Sequence, residues 1–307
     1  MPQTDGATVS HPLVRCACID IGSNTTRLLV ADVVSSAGGE WELAPVVERR
    51  AFTQLGRVCR AGDTVPETTR AALAAVVAAQ AQEARALGSE KLRVVATAAL
   101  RRSADGLATC HALAAAAGAP VELLSEHDEA RLAFGGATCA LRDGSGGPLA
   151  VVDVGGGSAQ VVVGTCAGGA TWSVSLPLGS GDLAAAHLRG DPPDATELAV
   201  LQAAVDETLA GIAIPPVERA LAVGGSATSL RRLAGARLEP ATLERALATL
   251  VAAPAVDVAA QLRIAPERAR LLPAGIVVLA AMAARVGPLD VARGGLREGV
   301  LHELATG

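Results

Sequence analysis

Three glycine-rich turns in this sequence have the composition that holds phosphate: Gly22-Ser23-Asn24-Thr25, Gly155-Gly156-Gly157-Ser158 and Gly224-Gly225-Ser226-Ala227-Thr228. Glycine lets backbone N–H groups converge on an anion with no Cβ in the way. Each turn follows an apolar run that reads as a strand. The third also opens a helix, whose N-terminus favours negative charge. None has the spacing of a P-loop or of a dinucleotide fingerprint. Asp20 and Asp153 end the strands before the first two turns. A carboxylate beside a phosphate cradle repels the substrate unless a cation intervenes, so the pair implies Mg²⁺ as cofactor, a hard ion that bridges a carboxylate and phosphate oxygens. The competing reading is that each Asp caps its own turn through backbone hydrogen bonds.

Hydrolysis also needs a base for water. Ser125-Glu126-His127-Asp128-Glu129-Ala130-Arg131 offers four ionisable residues in a row at the start of a helix, and the residues alone do not choose among Glu126, His127, Asp128 and Glu129. Acidic residues also favour a helix N-terminus for reasons unconnected with catalysis. Arg101 and Arg102 follow the run VVATAAL, and Arg27 lies just past the first turn. Each is either a fork for phosphate oxygens or a solvated surface arginine.

The elements that must position these groups are read from the apolar pattern. Strands are expected at Val14–Ile21, Arg27–Val34, Trp41–Arg50, Leu92–Ala96 and Val121–Leu124, with a turn over 35–40. Helices are expected at Pro66–Leu87, Ser103–Ala117 and Asp128–Thr138, the last starting at Ser125 or Glu126. A glycine joint over 142–148 leads into a second copy of the plan: strands Leu149–Val154, Ala159–Gly164 and Thr171–Leu176, helices Asp182–Leu188 and Thr196–Ile212, and strand Ala220–Val223. GGSAT then reads as a turn before a helix from Ser229. The rest is helical apart from a strand near Leu289–Arg293 and a last helix Arg297–Leu304.

CIDIGSNTTRLLVADV and VVDVGGGSAQVVVGTC share one plan: strand, Asp, apolar residue, Gly, short turn, second strand. A repeat of this size implies duplicated lobes that face each other. Length agrees, since 307 residues exceed what one ordinary core needs. Half the residues are hydrophobic, yet there is no Tyr and only two Phe and two Trp. The core is therefore packed with small aliphatics, as suits α/β layers. A net charge of −5 excludes the basic field of a nucleic-acid protein, so an anionic substrate must be met by local donors. The six Cys have no zinc spacing and read as reduced thiols of a cytoplasmic chain, with Cys16 and Cys18 on one core face. Residues 1–12 lack the apolar region of a secretory signal, and Leu271–Val286 reads as a buried helix shorter than a membrane span. No membrane partner is expected.

With these motifs in this order, from about residue 15 to 304, the chain resembles the exopolyphosphatase / guanosine pentaphosphate phosphohydrolase family of the actin-like ATPase superfamily. CIDIGSNTTRLLVAD resembles the family's first phosphate loop, VVATAALRRSADG its Ala-Thr-x-x-x-Arg segment, and LLSEHDEARLAFGGA its Ile-Ser-Gly-x-Glu-Glu-Ala-x-Leu. VVDVGGGSAQVVVG and AVGGSATSL resemble its second and third loops, and RARLLPAGIVVLAAMA and GGLREGVLHEL its closing region. The resemblance implies two actin-like (ribonuclease H-like) α/β lobes, each a mixed five-stranded sheet flanked by helices, with the substrate in the cleft between them. The first lobe would span 1–124, with helix 297–307 packing back on it, and the second 125–296.

The resemblance also implies site residues. Glu129 falls on the catalytic base and Arg101 on the arginine of the Thr-x-x-x-Arg segment. Asp153 falls on the second-loop Asp, with Asp20 its counterpart for Mg²⁺. Gly155, Gly156, Gly157 and Ser158 become phosphate donors, with Gly22, Ser23, Asn24 and Thr25 opposite, and Arg27, Gly224, Gly225 and Ser226 join the phosphate-binding set. The implied reaction is removal of terminal phosphate from inorganic polyphosphate. Alternatives are hydrolysis of guanosine pentaphosphate at its 5′ end, and a non-catalytic binding regulator. Departures are Glu126 for the family's Gly, Asp128 for Glu, Ala159-Gln160 for Thr-Glu and Arg293 for an acid. The lost carboxylate at Gln160 implies weaker metal binding, and Gln160 and Arg293 together suggest the regulator. Similar proteins are often dimers, and the aliphatic C-terminal helices offer a homodimer interface.

Overall fold

The structure, a computed structural model, describes residues 13–35, 41–139, 141 and 146–306. Most of the turn expected over 35–40 and of the joint expected over 142–148 lies outside the described residues, as does the expected N-terminal tail. The chain opens with β1 (Leu13–Ile21), β2 (Thr25–Ser35) and β3 (Trp41–Phe52), then α1 (Leu55–Val58), α2 (Glu67–Ala86) and β4 (Lys91–Ala96). Next come α3 (Ala98–Arg102), α4 (Gly106–Ala117), β5 (Val121–Leu123) and α5 (Glu126–Thr138). The second half runs β6 (Leu149–Val154), β7 (Ala159–Thr165), β8 (Gly169–Leu176), α6 (Ser180–His187), α7 (Ala195–Leu209), β9 (Arg219–Val223) and α8 (Gly224–Ala234). It closes with β10 (Arg237–Leu238), α9 (Pro240–Leu250), α10 (Ala255–Leu262), α11 (Pro266–Val286), β11 (Leu289–Val291) and α12 (Leu296–Thr306).

The strand order of the first sheet is β3-β2-β1-β4-β5, and of the second β10-β11-β9-β6-β7-β8. In both, the first three strands form an antiparallel meander and the next joins parallel beside the first. The duplication thus extends past the hairpins to whole sheets, and the fold is the two-lobed actin-like α/β arrangement. The second sheet has six strands, not five, because the two-residue β10 pairs antiparallel with β11; a strand so short leaves no alternation to read.

Each central strand is buried on both faces, which is why its sequence is a continuous apolar run. Ala17, Ile19 and Ile21 pack with Val77 and Ala81 of α2 and Leu113 of α4, while Cys16 and Cys18 pack with Leu132 of α5 and with Val300 and Leu301 of α12. In the second sheet Ala150, Val152 and Val154 lie with α7 and α11, and Val151 lies with Ala130, Phe134 and Ala137 of α5. All six cysteines are free thiols. α11 is 21 residues long, more than the Leu271–Val286 stretch the sequence suggested, because it already starts at Pro266. By length and composition it could cross a membrane, but most of it is buried in the core of the second lobe.

Two further expectations are corrected. The helix expected over Ser103–Ala117 starts only at Gly106, as α4, and an unexpected short helix, α3, precedes it at Ala98–Arg102. The break is fixed by Asp105, whose carboxylate accepts from the Val65 N–H at 2.9 Å and from Arg70 at 3.0 Å. GGSAT is not a turn before a helix. It is the first turn of α8, which starts at Gly224 directly from β9.

Candidate active site

The two hairpins are built alike. Asp20 pairs across its hairpin with Arg27, and Asp153 with Gln160, at a constant offset of 133 positions (153 less 20, 160 less 27). The Gly22 N–H donates to the Thr25 carbonyl at 3.0 Å, and the Gly155 N–H to the Ser158 carbonyl at 3.0 Å. The turn carbonyls are tied outward in both. Asn24 and Ser23 accept from the amides of Gln54 and Gly56, and Gly155 and Gly156 accept from the amides of Ser180, Gly181 and Asp182 at the start of α6. Among the described residues no protein acceptor engages the amides of Ser23, Asn24, Gly156 or Gly157. These are the free donors an anion needs.

The hairpins meet. A Cβ on Gly156 would sit 3.0 Å from that of Asn24, and one on Gly157 would run into the Ser23 hydroxyl. Glycine is required here by close approach. Beside this contact lies a cleft lined by Asp20, Gly22, Ser23, Asn24, Thr25 and Arg27 from the first hairpin, and by Asp153, Gly155, Gly156, Gly157 and Ser158 from the second. Glu129, Gly224 and Gly225 complete the expected wall. Gly224 has φ +85°, and its α-carbon lies against the Asp153 carboxylate. Ser226, expected to face phosphate, is instead 1% exposed, with its hydroxyl packed against Gly275 of α11 and unpartnered among the described residues.

Ser125 caps α5, accepting from the Asp128 N–H at 3.1 Å. That cap sets which acidic residue turns inward. Glu126 and His127 are exposed, Asp128 pairs with the Ser125 hydroxyl at 2.6 Å, and Glu129 alone of the four lines the cleft, 8% exposed. Arg101, expected among the phosphate-facing groups, is not on the cleft wall. Its Nη1 donates to Glu129 Oε2 at 2.8 Å and to the Leu124 carbonyl at 2.9 Å. Arg102 pairs with Asp182 of α6 at 2.7 Å.

Burial pushes the Glu129 carboxyl up, against the pull of Arg101, with Asp20 and Glu126 adding to the rise. Burial, then Glu129 and Asp20, push Asp153 up to about 7. Asp20 is raised by burial despite Arg27 and Arg297. Three buried carboxylates, of which Asp20 raises Glu129 and both raise Asp153, describe a place for a cation. Oδ1 of Asp20 is buried with no partner. Among the described residues no group of three His, Cys, Asp or Glu could hold a metal alone. That donor set fits Mg²⁺, which takes one or two carboxylates and completes its shell with water and phosphate oxygens.

The opposite wall is cationic, and composition did not reveal it. Arg268 of α11 and Arg297 of α12 line the cleft, 6% and 7% exposed, as do Glu298, Arg293 and Gln160. Arg268 lies on the backbone of Gly225 and has no ion pair among the described residues. Burial, then Arg50 and Arg27, lower its pKa to about 10, and burial with Arg297 and Arg50 lowers that of Arg27 to about 10. Arg297 reaches Glu48 at 3.3 Å. In the sequence Arg268 stands in a charged helix start, Glu267-Arg268-Ala269-Arg270, which by itself reads as solvated. Gln160 donates to the Ser158 hydroxyl at 2.8 Å, so the amide orients that side chain.

Residues 30–306 match the sequence model of the Ppx/GppA phosphatase family. The chain is 34% identical to exopolyphosphatase 2 of Mycobacterium tuberculosis over 235 residues, 72% of this chain and 71% of that protein. It is 29% identical to exopolyphosphatase 1 of Mycobacterium leprae, over 94% of this chain and 88% of the relative. The crystal structure of the Aquifex aeolicus Ppx/GppA family member superposes with a TM-score of 0.79 at 25% identity, covering 96% of this chain and 98% of that one.

Proposed function

Because the chain belongs to the Ppx/GppA phosphatase family and is a phosphoanhydride hydrolase, we propose that it shortens inorganic polyphosphate from its end, releasing orthophosphate. The observation that carries this reading is the pairing of free hairpin amides with a cleft that presents arginines and glycines but no aromatic side chain. A phosphate chain finds charge and donors there. A guanine base of guanosine pentaphosphate would find no aromatic ring among the lining residues, only guanidinium planes.

In the proposed reaction the terminal phosphate sits among the amides of Ser23, Asn24, Gly156 and Gly157. Glu129 accepts a proton from a water placed in line with the scissile bond. The water oxygen bonds to the terminal phosphorus as its bond to the bridging oxygen breaks. Orthophosphate leaves, and the bridging oxygen stays with the shortened chain as a new terminal anion. Arg27 and Arg268 face that developing charge. Arg101 holds Glu129 ionised and oriented. Mg²⁺ at Asp153 and Asp20, with the substrate's own oxygens, supplies charge neutralisation when bound. The lobes are taken as 1–124 with the closing helix, and 125–296.

The test is phosphate release from long-chain polyphosphate and from guanosine pentaphosphate, with Mg²⁺ and with chelator. Faster Mg²⁺-dependent release from polyphosphate supports the reading. Preference for the nucleotide, or no release from either, rejects it.

A further inference from the structure

A second basic concavity, of about 630 Å³, lies on the other side of the hairpin contact, between the α1 region and α6. Arg57, Arg60, Arg102 and Arg189 line it, with Asp182 as its one carboxylate. Asp182 is already engaged by Arg102. Arg57, Arg60 and Arg189 form no salt bridge among the described residues, and all three are exposed. Glu197, beside Arg189, spends its carboxylate on the backbone amides of Arg189, Gly190 and Asp194. In a chain of net charge −5 this concentration of unpaired cations calls for an anion from outside.

The wall between this basin and the cleft is one residue thick. Ser23 lines the cleft, and its carbonyl accepts from the Gly56 N–H at 2.8 Å on the basin side. Gly157 lines the cleft, and a methyl on it would sit 2.8 Å from Nη2 of Arg102, which lines the basin. Nε of Arg102 is buried and has no partner. Arg102 therefore stands between the two chambers with one donor satisfied by Asp182 and one unsatisfied. An anion running from cleft to basin would meet it first.

We propose that the basin is a second phosphate-binding site, which holds the trailing units of a chain whose end is being cut in the cleft. The proposal rests on the polyphosphate reading above and extends it: the basin sets the preference for long chains. Arg60 and Arg189 contribute field and direct contacts to the trailing phosphates, and Arg102 exchanges Asp182 for phosphate as the chain passes.

The experiment compares wild type with Arg60→Glu/Arg189→Glu on long-chain polyphosphate and on tripolyphosphate, which carries only two phosphates beyond the one being cut and so has almost no trailing chain to hold. The KM for the long chain should rise about tenfold at low ionic strength and less at high, since exposed charges are screened. KM and kcat for tripolyphosphate should stay unchanged. The milder Arg60→Ala/Arg189→Ala pair should give a smaller loss in the same direction. An equal effect on both substrates, or none on either, overturns the proposal. Should the wild type release no phosphate, the functional reading fails by itself. Calorimetric binding of long-chain polyphosphate in chelator then decides the basin: weaker binding by the Glu pair keeps the site, and equal binding removes it.

Discussion

Arg101 donates through one nitrogen both to the Glu129 carboxylate, at 2.8 Å, and to the Leu124 carbonyl, at 2.9 Å. One cation thus fastens the inward-facing carboxylate of α5 to the chain that leaves β5. Burial and the neighbouring acids favour the protonated form of Glu129, and Arg101 opposes them. Removing Arg101 should therefore change when the base titrates as well as how fast it works. Arg101→Ala should shift the acid limb of the kcat profile to higher pH and lower kcat by about tenfold to a hundredfold, as for a lost orienting contact. Arg101→Lys should recover part of both. A fall in rate with the acid limb unmoved would assign Arg101 to the substrate instead.

Glu129→Gln keeps the shape of the side chain and its bond to Arg101 but removes the proton acceptor. Its kcat should drop by roughly 10²- to 10⁴-fold, while binding of polyphosphate, measured by calorimetry, persists. Near-normal turnover would end the assignment.

Asp153 is raised from an ordinary 3.8 to about 7. A folded-state pKa above the unfolded one gives stability that is fully present below the unfolded value and is lost as pH rises through the folded value. Metal-free protein should accordingly lose thermal stability between about pH 4 and 7. Mg²⁺ needs the ionised carboxylates. The increase in Tm on adding Mg²⁺ should be larger at pH 8 than at pH 5.5, and an increase that does not vary with pH would count against Asp153 and Asp20 as its ligands.

Arg268 is a buried cation without a counter-ion among the described residues, held against Gly225. Such a charge is costly to keep folded. Arg268→Met retains the stem and deletes the charge. Stability by urea titration should rise, by about 1 kcal/mol, as is common where a site trades stability for function. The KM for polyphosphate should rise at the same time. A loss of stability would mean that the guanidinium is structurally satisfied after all.

Gly224 occupies the left-handed region at φ +85° against Asp153 and the Val154 carbonyl. Gly224→Ala adds backbone strain of about 1 kcal/mol and pushes on the carboxylate. Urea titration should show that loss, and calorimetry should show weaker Mg²⁺ binding than wild type.

The hairpins were legible because their pattern is local. Asp, a spacer and Gly at the end of an apolar run, met twice, leave few alternatives to a strand and a tight turn, and the matched registers at 20–27 and 153–160 follow. Glu129 was legible through its motif, though only the Ser125 cap explains why it, and not Asp128, turns inward. Arg268 and Arg297 were not legible, because an arginine in a charged helix start, beside Glu267 and Arg270 or beside Glu298, carries no sign of what will pack around it. The start of α8 was misplaced because two glycines argue for a turn, while a single positive φ at Gly224 lets helix follow strand at once. Arg101 was misdirected for a long-range reason: its partner is 28 positions away.

The packing of α12 on the first sheet bears on how the protein is made. Cys16, Cys18 and Leu29 share their cluster with Val300 and Leu301. A ribosome delivers those partners last among the described residues. Until then that face of β1 and β2 is covered only in part, by Leu124 and by Leu132 of α5, while the rest of the first half has long been free to assemble. Nascent apolar surface of this kind invites aggregation and chaperone capture, so the first-made half depends on the last-made helix to become sealed.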